Sequence, residues 1–231
     1  MAATRLGYAV ALDFYQGKRK SGTHFGIGEH VVLNLLNKLP QNQSRHYHLV
    51  FDNFFTSVSL ITSLREKGIA ATGTLRSNRD ANAPLTSVAE MAKQARGSVD
   101  FATVENSNVC LVRWRDSKPV TVASSYCGVY PMKETQRYFR SEKLRKTIPF
   151  PSALQVYNAN MGGVDRLDQN LDCYMTNIRS KKWWWPIFRY CLDLAVVNAH
   201  YLFRLQSGVE KLDLLGFRRS IATTYLKQYV I

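Results

Sequence analysis

The stretch His48-Leu49-Val50-Phe51-Asp52-Asn53 constrains this chain more than any other. A short apolar run ends on a carboxylate. Thr56 or Ser57 can then cap a helix whose apolar positions Val58, Ile61 and Leu64 fall at helical spacing. Gly68 stops that helix, and residues 70–75 read as a second short strand. A buried strand that carries an acid to its exposed C-terminal end, then returns through a crossover helix, is a site-building unit of open α/β sheets. Taken alone, Asp52 is equally a turn residue that ends a strand.

The rest of the chain supplies elements around that unit. Residues 7–15 read as a strand, followed by a turn at Gln16-Gly17-Lys18 and a basic loop through Lys20. Gly28-Glu29 opens an amphipathic helix with Val31, Val32, Leu35, Leu36 and Leu39, closed by Pro40. A polar linker, 41–47, leads into the central stretch. Beyond Leu75 come a loop holding Arg76 and Arg79 and a weakly patterned run to Gly97. Strand-like segments at 100–105, 109–114 and 120–125 form a small antiparallel meander. The basic stretch 133–146 reads as an irregular surface segment. Residues 152–206 read as helical, with breaks near Gly162-Gly163 and Trp185-Pro186. The last of these helices, from Pro186 to about Leu205, is apolar around most of its circumference and reads as buried. Gly208 and Gly216 break up the tail.

Composition narrows the function classes. A net charge of +14 on 231 residues favours a polyanionic partner, nucleic acid first. Hydrophobic content of 45% is enough for a packed core. The four cysteines form no C-x-x-C pair, which argues against a zinc ribbon and for reduced thiols. No run of apolar residues is long enough to span a bilayer, so no membrane association is expected. His46 and His48 share one side of a strand without a third ligand and read as structural.

The second informative stretch is Asn160-Met161-Gly162-Gly163-Val164-Asp165-Arg166-Leu167-Asp168-Gln169. Asp165 and Asp168 are three apart, so a helix places their carboxylates side by side. Adjacent carboxylates repel unless a cation lies between them, and hard oxygen ligands suit Mg²⁺ or Mn²⁺. A solvated helix face balanced by Arg166 accounts for the same spacing. Arg179-Ser180-Lys181-Lys182-Trp183-Trp184-Trp185-Pro186 joins cations to three consecutive tryptophans. Cations neutralise phosphates and an indole face stacks on an unpaired base. Successive helical residues point 100° apart, so one or two of the tryptophans face DNA and the others pack inward.

These residues resemble the piggyBac transposase family. The resemblance is carried by Asp52-Asn53-Phe54-Phe55-Thr56-Ser57, by Ala71-Thr72-Gly73-Thr74 with Asn78-Arg79, by the segment 160–169, and by Lys182-Trp183 to Pro186. It implies an α/β, RNase H-like mixed sheet with an inserted β-rich segment and a C-terminal helical region. The expected divisions are a partial core over 1–80, the insertion over 81–147, helices completing the core over 148–206 and a tail over 207–231. It further implies DDE-type DNA cleavage and strand transfer, in which aspartates hold two Mg²⁺ or Mn²⁺ ions. Asp52 matches the second catalytic aspartate and Asp165 the third, while Asp168 matches a further acid near the site. Arg76, Arg79, Arg179, Lys181, Lys182 and Trp185 are the implied DNA contacts, Trp185 being favoured by its family position. The family's first catalytic aspartate stands shortly before a Gly-Tyr pair. Here Gly7-Tyr8 is present, but the matching upstream position falls on or near Ala3. The resemblance therefore implies a fragment short of its first strand and first acid, with metal affinity weak or lost. Three functions follow: an active strand-transfer enzyme, a non-enzymatic DNA-binding protein, or a truncated relic. The implied partners are transposon-end and target DNA, with homodimer assembly left open and the nucleus as location.

Overall fold

The computed structural model describes residues 1–17, 26–40, 46–80, 82–105, 107–208 and 211–229, and these form two compact units. The expected basic loop beyond Gly17 and most of the linker before Tyr47 lie outside the described residues.

One unit covers residues 14–161. Its helix α1 (Ile27–Asn37) buries Val32, Leu35 and Leu36 on one stripe. Strand β3 (His48–Phe51) leads through the Asp52 loop into α2 (Val58–Glu66) and returns in β4 (Ala70–Leu75). β3 and β4 are parallel, with Leu49 opposite Ala71 and Phe51 opposite Gly73. Ser57 accepts the Leu60 amide at 3.1 Å and so caps α2. That helix buries Leu60, Ile61 and Leu64 completely: Ile61 and Leu64 are expected positions, whereas Val58 is only half-buried and Leu60 turns inward instead.

Strands β5 (Val99–Val104), β6 (Val109–Arg115) and β7 (Pro119–Ser124) make the expected meander. The meander does not stand apart. β7 pairs antiparallel with β4, so all five strands form one mixed sheet in the order β3-β4-β7-β6-β5. The run before Gly97 holds a short helix, α3 (Val88–Met91), closed by a reciprocal Ser87–Glu90 capping box.

The segment 133–146 is not irregular: β8 (Lys133–Phe139) and β9 (Leu144–Phe150) form an antiparallel hairpin. Its core face substitutes cation–ring contacts for an apolar pattern, with the Arg137 guanidinium 5.6 Å from the Trp114 and Phe150 rings. Helix α4 (Ser152–Asn160) closes this core with Ala153 and Leu154.

The other unit joins residues 1–13 to 162–231. Here the expected strand over 7–15 shrinks to β2 (Ala9–Ala11), paired antiparallel with β1 (Ala2–Ala3). Both backbone groups of Ala9 are held by one side chain. Asn198 accepts its N–H and donates to its C=O, each at 2.9 Å. Helices α5 (Gly163–Cys173), α6 (Trp185–Leu205) and α7 (Leu214–Tyr229) complete the unit. Leu167, Leu171 and Val197 are its buried centre.

Three expectations fail here. The non-helical break before α6 runs over 174–184 rather than standing at Trp185-Pro186 alone. The tail is a 16-residue helix despite Gly216, whose amide is capped by Asp213 at 2.7 Å. Finally α6 is not a buried helix: it buries only Asp193 and Val197, and Phe188, Leu192 and Leu202 are about half exposed. Its apolar residues encircle the axis, but only one stripe meets the α5 and α7 partners.

Candidate functional site

The Asp52 loop is built by close approach. The Asp52 carbonyl accepts the amides of Phe55 and Thr56, both at 3.2 Å, and the Thr56 hydroxyl at 2.6 Å. Its carboxylate accepts the Phe54 amide at 2.9 Å. Thr56 is fully buried and leans over Gly73 on the neighbouring strand. A Cβ on Gly73 would overlap the Thr56 hydroxyl and stand 2.8 Å from the Phe51 carbonyl oxygen. That glycine leaves the room in which the acid-bearing loop turns.

A second brace comes from α1. Glu29 is 9% exposed; it accepts from the Gly26 amide in its own helix cap, and its other oxygen accepts from the Ser57 and Ser59 hydroxyls. One buried carboxylate thus ties the α1 start to the α2 cap. At Gly28 a Cβ would lie 2.6 Å from the Phe54 carbonyl oxygen, so the helix and loop touch backbone to backbone.

Arg76 and Arg79 are exposed, but both also serve the loop. Arg76 donates to the Asn53 side chain at 3.1 Å, and Arg79 donates to the carbonyls of Phe54 at 3.1 Å and Thr56 at 3.4 Å. Their hold on the loop was not legible in their sequence context; nor was the buried Glu29 brace, because capping pairs carry no mark of a tertiary partner. Arg113, 2% exposed, ties the same region to the sheet through Asp80 at 3.0 Å.

Asp165 and Asp168 lie on α5, in the other unit, and both are exposed. Asp165 falls in the first helical turn, where the helix dipole favours a negative charge. The left-handed Gly162 (φ +96°) starts the helix. Gly163 is required by contact: a Cβ there would overlap the Thr4 carbonyl. Partial desolvation, then the Asp172 and Asp165 charges, raise the Asp168 carboxyl above its usual value, against the opposing pull of the N-terminal ammonium. Arg166 reaches away to the Arg5 carbonyl at 3.2 Å, so the acids keep their mutual repulsion. Their chemistry suits a hard cation. Among the described residues of either unit, however, no three acidic, histidine or cysteine side chains are grouped to hold a metal ion. The carboxylates of α5 alone are short of a two-metal site.

Arg179, Lys181 and Lys182 are exposed on the loop before α6. That loop is pinned at two places. The Trp185 indole N–H donates to the Ile178 carbonyl at 2.7 Å. Upstream, Thr176 donates its amide (3.0 Å) and hydroxyl (2.9 Å) to Asp193, which also pairs with Arg218 at 2.6 Å. Trp185 therefore spends its polar edge on the loop and is half-buried, whereas Trp183 is 82% exposed. Trp184 is exposed as well, so the tryptophans do not pack inward as a group.

A family model described as Transposase IS4 matches residues 1–200. The human PiggyBac transposable element-derived protein 3 is 38% identical over 231 residues, and its relative protein 2 is 36% identical over 226. This chain belongs to the piggyBac-type transposase family. The matches take in 98% and 97% of the chain but 38% of each human protein, so the chain spans less than two-fifths of their length. Its fold matches a piggyBac transposase in a synaptic complex with hairpin DNA. That likeness has a TM-score of 0.64 at 20% identity, over 94% of this chain and 45% of the other. The likeness is one of fold and takes in the mixed five-stranded sheet. No helix among the described residues is long and apolar enough to cross a membrane.

Proposed function

We propose that this piggyBac-type chain is a DNA-binding segment whose ancestral activity is two-metal DNA cleavage and strand transfer. In this reading the five-stranded sheet is an RNase H-like core, Asp52 and Asp165 are two of the catalytic acids, and Asp168 stands beside them. The observation that carries it is the acid at the C-terminal end of β3, held by a tightly built loop in a fold shared with a transposase. The formal charge of +14 supplies the attraction to DNA, with Arg76, Arg79, Arg179, Lys181, Lys182 and Trp185 as contacts. Mg²⁺ or Mn²⁺ would be held by Asp52, Asp165 and Asp168, and weakly, because the donor set is incomplete. A bound ion would supply charge stabilisation and lower the pKa of an attacking hydroxyl. The 231 residues then bind DNA without cutting it, in the nucleus. The test is a labelled duplex incubated with the chain and Mg²⁺ or Mn²⁺, read for both retardation and nicking. Retardation without nicking is expected. Nicking abolished by Asp52→Asn would overturn the non-enzymatic part, and absence of retardation at low salt would overturn the DNA-binding part.

A further inference from the structure

The β8–β9 hairpin has two faces of different chemistry. Alternation turns Thr135, Arg137, Phe139, Ile148 and Phe150 toward the sheet. Apart from Lys133 at the start of β8, the charges on that side are spent. Arg137 donates to Asp116 at 3.2 Å, and Arg96 binds Asp116 at 2.7 Å and the Tyr138 carbonyl at 2.8 Å. Trp114 donates its indole N–H to the Pro149 carbonyl at 2.9 Å. These bonds hold the ribbon as one rigid piece on its sheet.

The outer face carries the exposed Glu134 opposite Pro149 at its far end, then Gln136 opposite Thr147 and Tyr138 opposite Arg145, and ends at the turn with Arg140 and Lys143. Arg140, Lys143 and Arg145 are exposed, and among the described residues none of them joins an ion pair. The turn's acid, Glu142, is occupied by Lys146. Tyr138 stands 53% exposed among these cations. Glu134 lies at the end away from the turn, so the turn half of this surface, with its free cations, amide and hydroxyl groups and one central ring, suits a polyanion that also offers edges to read. Two strands about 4.8 Å apart, with their side chains, match a B-DNA major groove roughly 12 Å wide.

We infer that β8–β9 is a duplex-DNA-binding ribbon that lays its outer face in the major groove. Arg140, Lys143 and Arg145 neutralise phosphates, while Tyr138 and Gln136 face the groove floor. The inference rests on the DNA-binding reading above and assigns the surface that meets the duplex.

The test measures affinity of the full chain for a labelled duplex DNA by fluorescence anisotropy across a salt series. The variant Arg140→Ala/Lys143→Ala/Arg145→Ala is set against a control of equal charge, Arg65→Ala/Lys67→Ala/Lys93→Ala, with melting curves confirming that both fold. Three lost phosphate contacts flatten the slope of log affinity against log salt by about 2.7. The control changes it little. Duplex RNA, whose major groove is too deep and narrow for a ribbon, binds less tightly than DNA. If the ribbon variant keeps the wild-type slope, or the control flattens it equally, the ribbon is not the binding surface. Equal affinity for duplex RNA would overturn the major-groove placement. If the wild-type chain binds no duplex at all, the DNA-binding reading fails first and takes this inference with it.

Discussion

Gly73→Ala adds one methyl group to a buried strand and reaches the candidate site without touching Asp52. In most strand interiors this change stabilises by about 0.5–1 kcal/mol, because alanine has less backbone freedom to lose. Here the new Cβ would overlap the Thr56 hydroxyl and lie 2.8 Å and 2.9 Å from the carbonyl oxygen and ring of Phe51. Forcing such contacts into a packed core costs about 1–3 kcal/mol. Moving the Thr56 side chain aside breaks its 2.6 Å bond to the Asp52 carbonyl and leaves a fully buried hydroxyl unpaired. That adds about 1–3 kcal/mol. The net expectation is a loss of about 2–4 kcal/mol. At about 2–4 °C per kcal/mol for a domain of this size, thermal denaturation should show a drop of roughly 4–16 °C. Amide hydrogen exchange at Phe55 and Thr56, both bonded to Asp52, should quicken more than at α2. Thr56→Ala/Gly73→Ala removes the overlapping hydroxyl, so it should recover at least about 1 kcal/mol relative to additivity. A Gly73→Ala protein that melts with the wild type would refute the close-approach account of the loop.

Three further outcomes follow from the same structure. Asp193→Ala leaves Arg218 and Thr176 without their buried partner and should cost about 3–5 kcal/mol in thermal unfolding. Asp193→Leu/Arg218→Leu should regain most of that, and a double variant no better than the single would contradict the assignment. Glu29→Gln weakens charge-assisted bonds to Ser57 and Ser59, so a loss of about 1–2 kcal/mol is expected, with faster exchange in the first turns of α1 and α2. Burial lowers the His48 pKa, so below about pH 6.5 the unfolded chain takes up a proton that the folded chain resists. That contribution is complete above pH 6.5 and fades as the pH falls to the folded value. Melting temperature should therefore decline from about pH 6.5 downward, and His48→Gln should remove that part of the decline.

Where local rules and tertiary packing agree, the fold was legible in the residues. Ser57 caps, Gly68 stops, and Ile61 and Leu64 bury as their spacing says. The β8–β9 hairpin escaped because Arg137 and Lys146 stand where apolar residues would mark a strand, their charges resting over aromatic rings. α7 escaped because Gly216 was read as a breaker, although Asp213 three positions earlier already offered a cap. The buried reading of α6 failed because an apolar circumference counts side chains, whereas burial depends on which stripe finds a partner. For the site, the two acids stood out by type and spacing. Glu29 and Gly73, which hold the Asp52 loop, and the Asp193–Arg218 pair, which holds the loop before α6, come from distant segments, and only the fold shows what they touch.

The proposed function assumes that Asp52 and Asp165, far apart in sequence, serve one cation site. Mn²⁺ titration followed by amide NMR tests it directly, because paramagnetic broadening reports proximity even when binding is weak. The account predicts that amides around Asp52 and those of 163–168 broaden together, with one shared midpoint, and that Asp52→Asn weakens the effect at both. Broadening confined to α5, unaffected by Asp52→Asn, would show two unrelated acids and contradict the shared site.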